Sequence, residues 1–192
     1  MPVDDLAFSP GPGGQPRDEL LFVGRLDPQK GAEVAVAALA RLTGPAAALR
    51  RLAGELGVAG RVRWDGQLSQ AELAGRYRRA AALVVPGRDE GLGLVAVEGQ
   101  LSGAPVVAAA SGGLLDVVAD GRTGRTFPPG SPDALARTVE AVLADPDGSA
   151  RMAVAARERA AARFGTAGAA KAYAAVYAEA LQALTVKGRR RT

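Results

Sequence analysis

The chain of 192 residues is about one domain long, and 48% of it is hydrophobic, chiefly Ala, Val and Leu, so a core can be buried. It has neither Cys nor His, which excludes disulfides, thiolate and imidazole chemistry and the metals those groups hold, and its carboxylates do not cluster as a metal site would need. The formal charge of +4 collects in the terminal Lys187-Gly-Arg-Arg-Arg191 tail and along helical stretches, as solvated faces do, and the 4% aromatic content offers no platform for nucleic acid.

Met1–Asp18 is rich in Pro and Gly and is expected to be an extended or mobile lead-in. Glu19–Gly24 is an apolar run too short for a helix and reads as a buried strand. A helix follows over Gly31–Leu42; Gly44-Pro45 breaks it, and Pro45 starts another to about Leu56. Val62–Trp64 reads as a short strand. Ser69-x-x-Glu72 is a capping box that opens a helix to Ala80. Ala82–Val85 is a strand stopped by Pro86-Gly87, Gly91–Leu101 a helix opened by glycines, and Pro105–Ala109 a further strand. Gly112-Gly113 leads a short helix to Val118, and an extended piece is expected at Arg125–Phe127. Ser131-Pro132 starts a helix that ends near Asp145-Pro146, and two more follow over Ser149–Arg163 and Thr166–Leu184. Strands alternating with helices predict a Rossmann-like parallel α/β sheet covered on both faces. The organisation expected is a linker-like lead over 1–18, one domain over 19–184 and a basic tail over 185–192.

Ligands of such sheets bind beyond the carboxyl ends of the strands. The loops Gly24–Lys30, Gly66–Gln67, Pro86–Gly91 and Ala110–Gly113 all leave strands, so they should converge on one edge. The run Glu90-Gly-Leu-Gly-Leu-Val-Ala-Val-Glu98 is the most informative stretch. A glycine-rich helix N-terminus presents unpaired N–H groups and a positive dipole end to a phosphate. A carboxylate beside that anion site makes sense if it faces sugar hydroxyls instead. Were the intervening residues helical, the two glutamates would span roughly 12 Å, about the reach of a sugar–diphosphate–ribose ligand. Arg25 and Lys30 add two cations where a diphosphate needs its charge neutralised. Together these features predict a nucleotide-sugar site.

The motifs recur in an order that resembles a known family. Phe22-Val-Gly-Arg25-Leu-Asp-Pro-Gln-Lys30-Gly, Val62-Arg-Trp-Asp-Gly66, Pro86-Gly-Arg-Asp-Glu90-Gly-Leu-Gly93 with Glu98, Gly103-Ala-Pro-Val-Val107, Gly112-Gly113, Asp120-Gly-Arg-Thr-Gly124 and Pro128-Pro-Gly130 are similar to the C-terminal, donor-binding half of GT-B retaining glycosyltransferases of family 4, glycosyltransferase group 1. The likeness runs from about Ala7 to Leu181. It implies that Glu90, Arg25 and Lys30 are the catalytic set. Arg25 and Lys30 would hold the diphosphate and stabilise it as it leaves, with no metal or other cofactor. Glu90 would contact the donor sugar, and the backbone of Gly91, Leu92, Gly93 and Leu94 would reach sugar and phosphates. Glu98 would accept from the ribose hydroxyls, Gln67 and Leu68 would flank the base, and Gly24 would border the pocket.

The resemblance also sets expectations by its departures. The family places an acceptor-binding domain before this one, and Val3–Pro10 looks like the linker between them, so an acceptor domain would come from a partner chain or from outside this sequence. A strand that the family inserts between the first two helices is expected to be deleted, because Arg41-Leu-Thr-Gly-Pro45 joins those helices directly. Its loss would leave a gap or make Glu19–Gly24 pair with Val62–Trp64. Gly87, Leu92 and Gly99 stand for the usual Ser, Phe and Ala; these exchanges look tolerable, Gly99 costing the helix about 1 kcal/mol.

The competing reading is a non-catalytic remnant that binds a protein or a membrane through its C-terminal helix and basic tail. A dinucleotide-binding oxidoreductase fits less well: Gly91-x-Gly93-x-x-Ala96 matches the fingerprint, but Glu90 would crowd a pyrophosphate and Ala110-Ser111 lacks the ribose-binding acid. No Gly-Lys-Ser/Thr occurs, which excludes a phosphate-loop NTPase. No apolar run reaches membrane-spanning length and no leader peptide is recognisable, so a cytoplasmic protein is expected, with weak contact to anionic lipid of the inner membrane face as a secondary possibility. The partners expected are a nucleotide-sugar donor, an acceptor-domain chain or a second copy, and no nucleic acid. The Arg- and Ala-rich composition, without Ile or Asn, suggests a GC-rich bacterial origin.

Overall fold

Each short apolar run that ends in Gly, Pro or a small residue becomes a parallel strand, with one exception. The computed structural model describes residues 3–11, 17–25, 28–39 and 50–189. Its elements are β1 (Glu19–Phe22), α1 (Ala32–Leu39), α2 (Arg50–Glu55), α3 (Gln70–Arg79), β2 (Ala80–Val85), α4 (Leu94–Leu101), β3 (Val106–Ala109), α5 (Leu114–Val117), β4 (Arg125–Phe127), α6 (Pro132–Ala144), α7 (Pro146–Phe164) and α8 (Thr166–Arg189), with 3-10 turns at Pro28–Lys30 and Ala59–Arg61. The strands form one parallel sheet in the order β1-β2-β3-β4. Helices α1 and α6 lie over one face; α3 and α4 cover the other, with α7 against α4. The sheet is therefore buried on both sides, as a parallel sheet must be. Leu83, Val106 and Val107 are almost completely buried, each aliphatic side chain contributing about 1.5–3 kcal/mol on burial.

Local signals explain where the helices begin. Ser69 and Glu72 form the expected reciprocal capping box on α3. Ser131 caps α6 through the Ala134 N–H, with Pro132 in the first turn. Asp145-Pro146 does more than end α6. The Asp145 carboxylate accepts from the Gly148 N–H at 2.8 Å, so α7 starts at Pro146 and not at Ser149. The last helix runs on to Arg189, past the expected end at Leu184 and into the stretch assigned to the tail. Along it Tyr173, Val176, Tyr177 and Leu181 are exposed.

Three expectations are corrected. Val62–Trp64 forms no strand and pairs with no described one; its side chains hold it instead. Val62 and Trp64 pack with Phe22 on a small cluster of Ala32, Val36, Ala53 and Val58. Arg63 donates to Glu19 Oε2 at 2.9 Å and to Asp65 Oδ1 at 2.9 Å, and Arg76 donates to Asp65 Oδ1 at 3.0 Å. Strand β1 accordingly pairs with β2 and is an edge of the described sheet; the helix break at Gly44-Pro45 and the expected deletion near 42–45 lie outside the described residues. The second correction concerns α4, which opens at Leu94 and not Gly91, because Gly93 takes a left-handed conformation (φ 70°) as its N-cap. The helical span estimated between Glu90 and Glu98 therefore does not apply. Third, the lead-in is packed over residues 3–11: Val3 and Phe8 are buried in the main core, and Arg78 Nε donates to the Ser9 carbonyl at 2.6 Å.

Candidate functional site

The strands end level with one another. Phe22 pairs in register with Val84, Val85 with Ala108 and Ala109 with Phe127, so the loops that follow them share one edge of the sheet. These loops are bonded to each other. The Arg88 N–H donates to the Gln29 carbonyl at 2.8 Å, and the Gly113 N–H to the Glu90 carbonyl at 2.7 Å. The Asp89 N–H donates to Ser111 Oγ at 3.0 Å. Asp89 itself has φ 53°, a conformation side chains seldom adopt, and the Ser111 bond helps to hold it there. Gly112-Gly113 is a close backbone approach. A Cβ on Gly112 would stand 2.6 Å from the Glu90 carbonyl oxygen, and one on Gly113 would overlap the Gly91 carbonyl.

Within this frame Lys30 Nζ donates to Glu90 Oε1 at 2.6 Å, with the two side chains only 24% and 13% exposed. A cation and a carboxylate at such depth are screened less by water than surface pairs. The Lys30 stem packs near Gly24, and the Glu90 carboxylate folds back over Gly87. Arg25 is exposed on the same loop as Lys30. Gly91 is exposed and Leu92 half-buried against the core. The Gly93 carbonyl accepts from the Ala96 and Val97 N–H groups. Among the described residues the N–H groups of Leu94 and Val95 have no backbone acceptor, which leaves the positive end of α4 facing the loops.

Glu98 lies farther along α4, on the side facing α3. Tyr77 Oη donates to Glu98 Oε2 at 2.8 Å. Burial raises the Glu98 pKa above its usual 4.5, and the Tyr77 bond opposes that rise. Burial, then the Glu98 charge and the bond to it, push the Tyr77 hydroxyl far up, so it stays a donor. Gln67 is exposed and Leu68 half-buried in the segment that leads into the α3 cap. The structure thus brings together Gly24, Lys30, Glu90, Gly91 and the diglycine turn. It sets Glu98 against Tyr77, and leaves Gln67 and Leu68 on the segment without a ladder. Tyr77 and Ser111 were missed from the sequence. Tyr77 had a signal, since it is one of 3 tyrosines and falls beside Ala74 on the buried side of α3; Ser111 had none. Among the described residues no three carboxylates gather as a metal site would require.

A parallel sheet with helices on both faces, carrying a cation–carboxylate pair and a helix N-terminus at the strand ends, is a Rossmann-like architecture with a polar site where such sheets bind ligands. The fold agrees with that of known structures. It superposes on sucrose-phosphate synthase from Thermosynechococcus elongatus with a TM-score of 0.82 and 31% identity, covering 95% of this chain and 52% of that one. The C-terminal domain of the glycosyl transferase group 1 protein LpcC from Francisella tularensis matches 85% of this chain over 99% of its own, with a TM-score of 0.75 and 18% identity. HepE of Anabaena, solved in complex with UDP, gives a TM-score of 0.83 at 23% identity over 93% of this chain and 56% of that one; at such identities these two bear on the fold alone. In sequence, the chain is 39% identical over 207 residues to the D-inositol 3-phosphate glycosyltransferase of Streptomyces avermitilis, covering 95% of this chain and 44% of that protein. The model for glycosyl transferases group 1 matches residues 11–159, and the chain belongs to that family. It spans about half the length of the curated relatives it matches.

Proposed function

We propose that this chain forms the donor site of a group 1 glycosyltransferase, binding a nucleoside-diphosphate sugar for transfer to an acceptor with retention of anomeric configuration and without a divalent metal. The observation that carries this reading is the Lys30–Glu90 pair at the strand-end edge, 2.6 Å apart, beside the N-terminus of α4. In this arrangement Lys30 and Arg25 take the two phosphates, together with the unpaired N–H groups that open α4. Glu90 accepts from the sugar hydroxyls and Glu98 from those of the ribose. As the bond between the sugar and the diphosphate breaks, negative charge grows on the diphosphate, and the two cations stabilise it where a metal otherwise would. UDP, with which HepE was crystallised, is the first nucleotide to try. Titration calorimetry with UDP, GDP and ADP on demonstrably folded protein tests the reading: heat with at least one, lost in Lys30→Ala, is expected, and no heat with any removes it. Transfer assayed with excess chelator, using a chain that includes the acceptor-binding part, is expected to proceed at an undiminished rate; anomer analysis of the product by NMR tests retention.

A further inference from the structure

The geometry points to Tyr77 as a positioning residue that holds Glu98 in place to receive the donor ribose; this rests on the donor-site reading above. Tyr77 is completely buried, and its hydroxyl donates to one carboxylate oxygen, Glu98 Oε2, at 2.8 Å. A phenylalanine would fill the same core position without a polar atom to satisfy, so the hydroxyl serves no packing purpose. What it does is fix one oxygen of a half-buried carboxylate. That restricts rotation about the terminal torsion of Glu98, which is otherwise broad, and leaves Oε1 as the acceptor for a ribose hydroxyl. The ring is fixed in turn from its other side. Phe8 meets Tyr77 edge-on, with centroids 5.9 Å apart and planes at 65°, and Phe8 is itself buried. Arg78, next to Tyr77, donates to the Ser9 carbonyl at 2.6 Å and pins the strand of lead-in that carries Phe8. Two buried rings and a half-buried carboxylate in series, Phe8, Tyr77 and Glu98, thus connect the packed lead-in to the ribose position.

A positioning role through Glu98 makes a distinction that a role in packing does not. It acts on the ribose hydroxyls alone, so it alters the preference for a ribonucleotide over its 2′-deoxy form. The experiment titrates the full chain with whichever of UDP, GDP and ADP binds most tightly, and with the 2′-deoxy counterpart, for wild type, Glu98→Ala, Tyr77→Phe and Phe8→Leu. Wild type is expected to prefer the ribonucleotide, and Glu98→Ala to lose that preference. In Tyr77→Phe the preference falls by about three- to tenfold, the range expected from loosening a hydrogen bond to a charged group, while affinity for the 2′-deoxy form stays within about twofold. Equal loss for both nucleotides, or no loss, assigns Tyr77 to the core and overturns the inference while leaving the donor site intact. Should Tyr77→Phe fail to fold, Phe8→Leu decides: it keeps the hydroxyl but removes the ring edge that orients it, and an unchanged ribose preference there is equally fatal. Wild type that binds no nucleotide, or a Glu98→Ala variant that keeps the full preference, fails the donor-site reading itself.

Discussion

Gly112→Ala should damage the sugar end of the site from a residue that carries no chemistry. The new Cβ would stand 2.6 Å from the Glu90 carbonyl oxygen and 3.1 Å from the Glu90 nitrogen, at a backbone φ of 51°. An L side chain in that left-handed region costs about 1 kcal/mol. The contact itself is too short to persist, so the Glu90 backbone must retreat, by roughly 0.8 Å if an ordinary carbon–oxygen contact is to be restored. That retreat stretches the bond from the Gly113 N–H to the Glu90 carbonyl, now 2.7 Å, at a cost of about 1 kcal/mol. It also loosens the Lys30–Glu90 pair. The sum, about 2–3 kcal/mol, lowers Tm by about 4–12 °C for a chain of this size. Thermal melting followed by circular dichroism measures this. The functional consequence is selective: affinity for a nucleotide sugar should fall more than affinity for the free nucleoside diphosphate, because in the proposed function Glu90 contacts only the sugar. Displacing a positioning group by a fraction of an ångström is enough to cost tenfold or more, since about 1 Å can cost a hundredfold. A Tm within about 2 °C of wild type, with both affinities unchanged, would show that the diglycine turn is not what seats Glu90.

Lys30→Ala should weaken nucleoside diphosphate binding by at least about tenfold, as loss of a charge-assisted contact to phosphate does, and calorimetry reads it directly. Because Glu98 titrates above its usual 4.5, nucleotide affinity should decline on acidification sooner than an ordinary carboxylate would allow, and this acid limb should vanish in Glu98→Ala. Glu19 works in the opposite sense. Its hydrogen bond to Arg63, then the charges of Arg63, Arg76 and Arg79, lower its pKa. The stability it contributes, no more than about 1 kcal/mol for pairs so near the surface, is complete above pH 4.5 and lost as the pH falls through the depressed value. Urea melts should therefore separate wild type from Glu19→Gln at pH 7 and bring them together as the pH falls below the depressed value. In Gly99→Ala a new Cβ would run into the Leu83 side chain, which is fully buried; overpacking of about 1–3 kcal/mol should outweigh the helix gain of about 1 kcal/mol, giving a net fall in Tm.

That last position marks the limit of what local sequence dictates. Gly99 looked like a tolerable exchange for alanine with a small helix penalty, yet it is the place where α4 comes down onto β2, and only the packed structure reveals the close approach. Strands β1, β2 and β3 were legible because a buried parallel strand needs nothing beyond a short apolar run and a stop. Val62–Trp64 has the same local signature, and it failed because a strand also needs a neighbour. The start of α4 was misplaced because Gly91 and Gly93 offer two possible caps, and the choice depends on how Gly93 sits beneath Leu114. The lead-in looked mobile because its Pro and Gly content outweighed the two apolar anchors, Val3 and Phe8, whose pockets are formed by residues far along the chain.

The arrangement of Lys30, Glu90 and the diglycine turn is untouched by these errors for a physical reason. Lys30, Glu90 and the diglycine turn hang from the ends of β1, β2 and β3, whose pairing is continuous at their carboxyl ends, the one shift lying at the start of β1 between Glu19 and Leu20, and their mutual bonds run between those loops. None of them depends on the segment at 62–69. Gln67 and Leu68 do depend on it, and that segment is tied to β1 by the ion pairs of Glu19, Arg63 and Asp65 where a ladder of backbone bonds would otherwise fix it. Side-chain pairs at the surface hold position far less firmly than a ladder. On the proposed function, grip on the diphosphate and sugar would be built into the rigid part of the sheet, whereas discrimination among bases would rest on its least supported part. Substituting Arg63 should accordingly change the ranking of UDP, GDP and ADP more than it changes the affinity for whichever binds best.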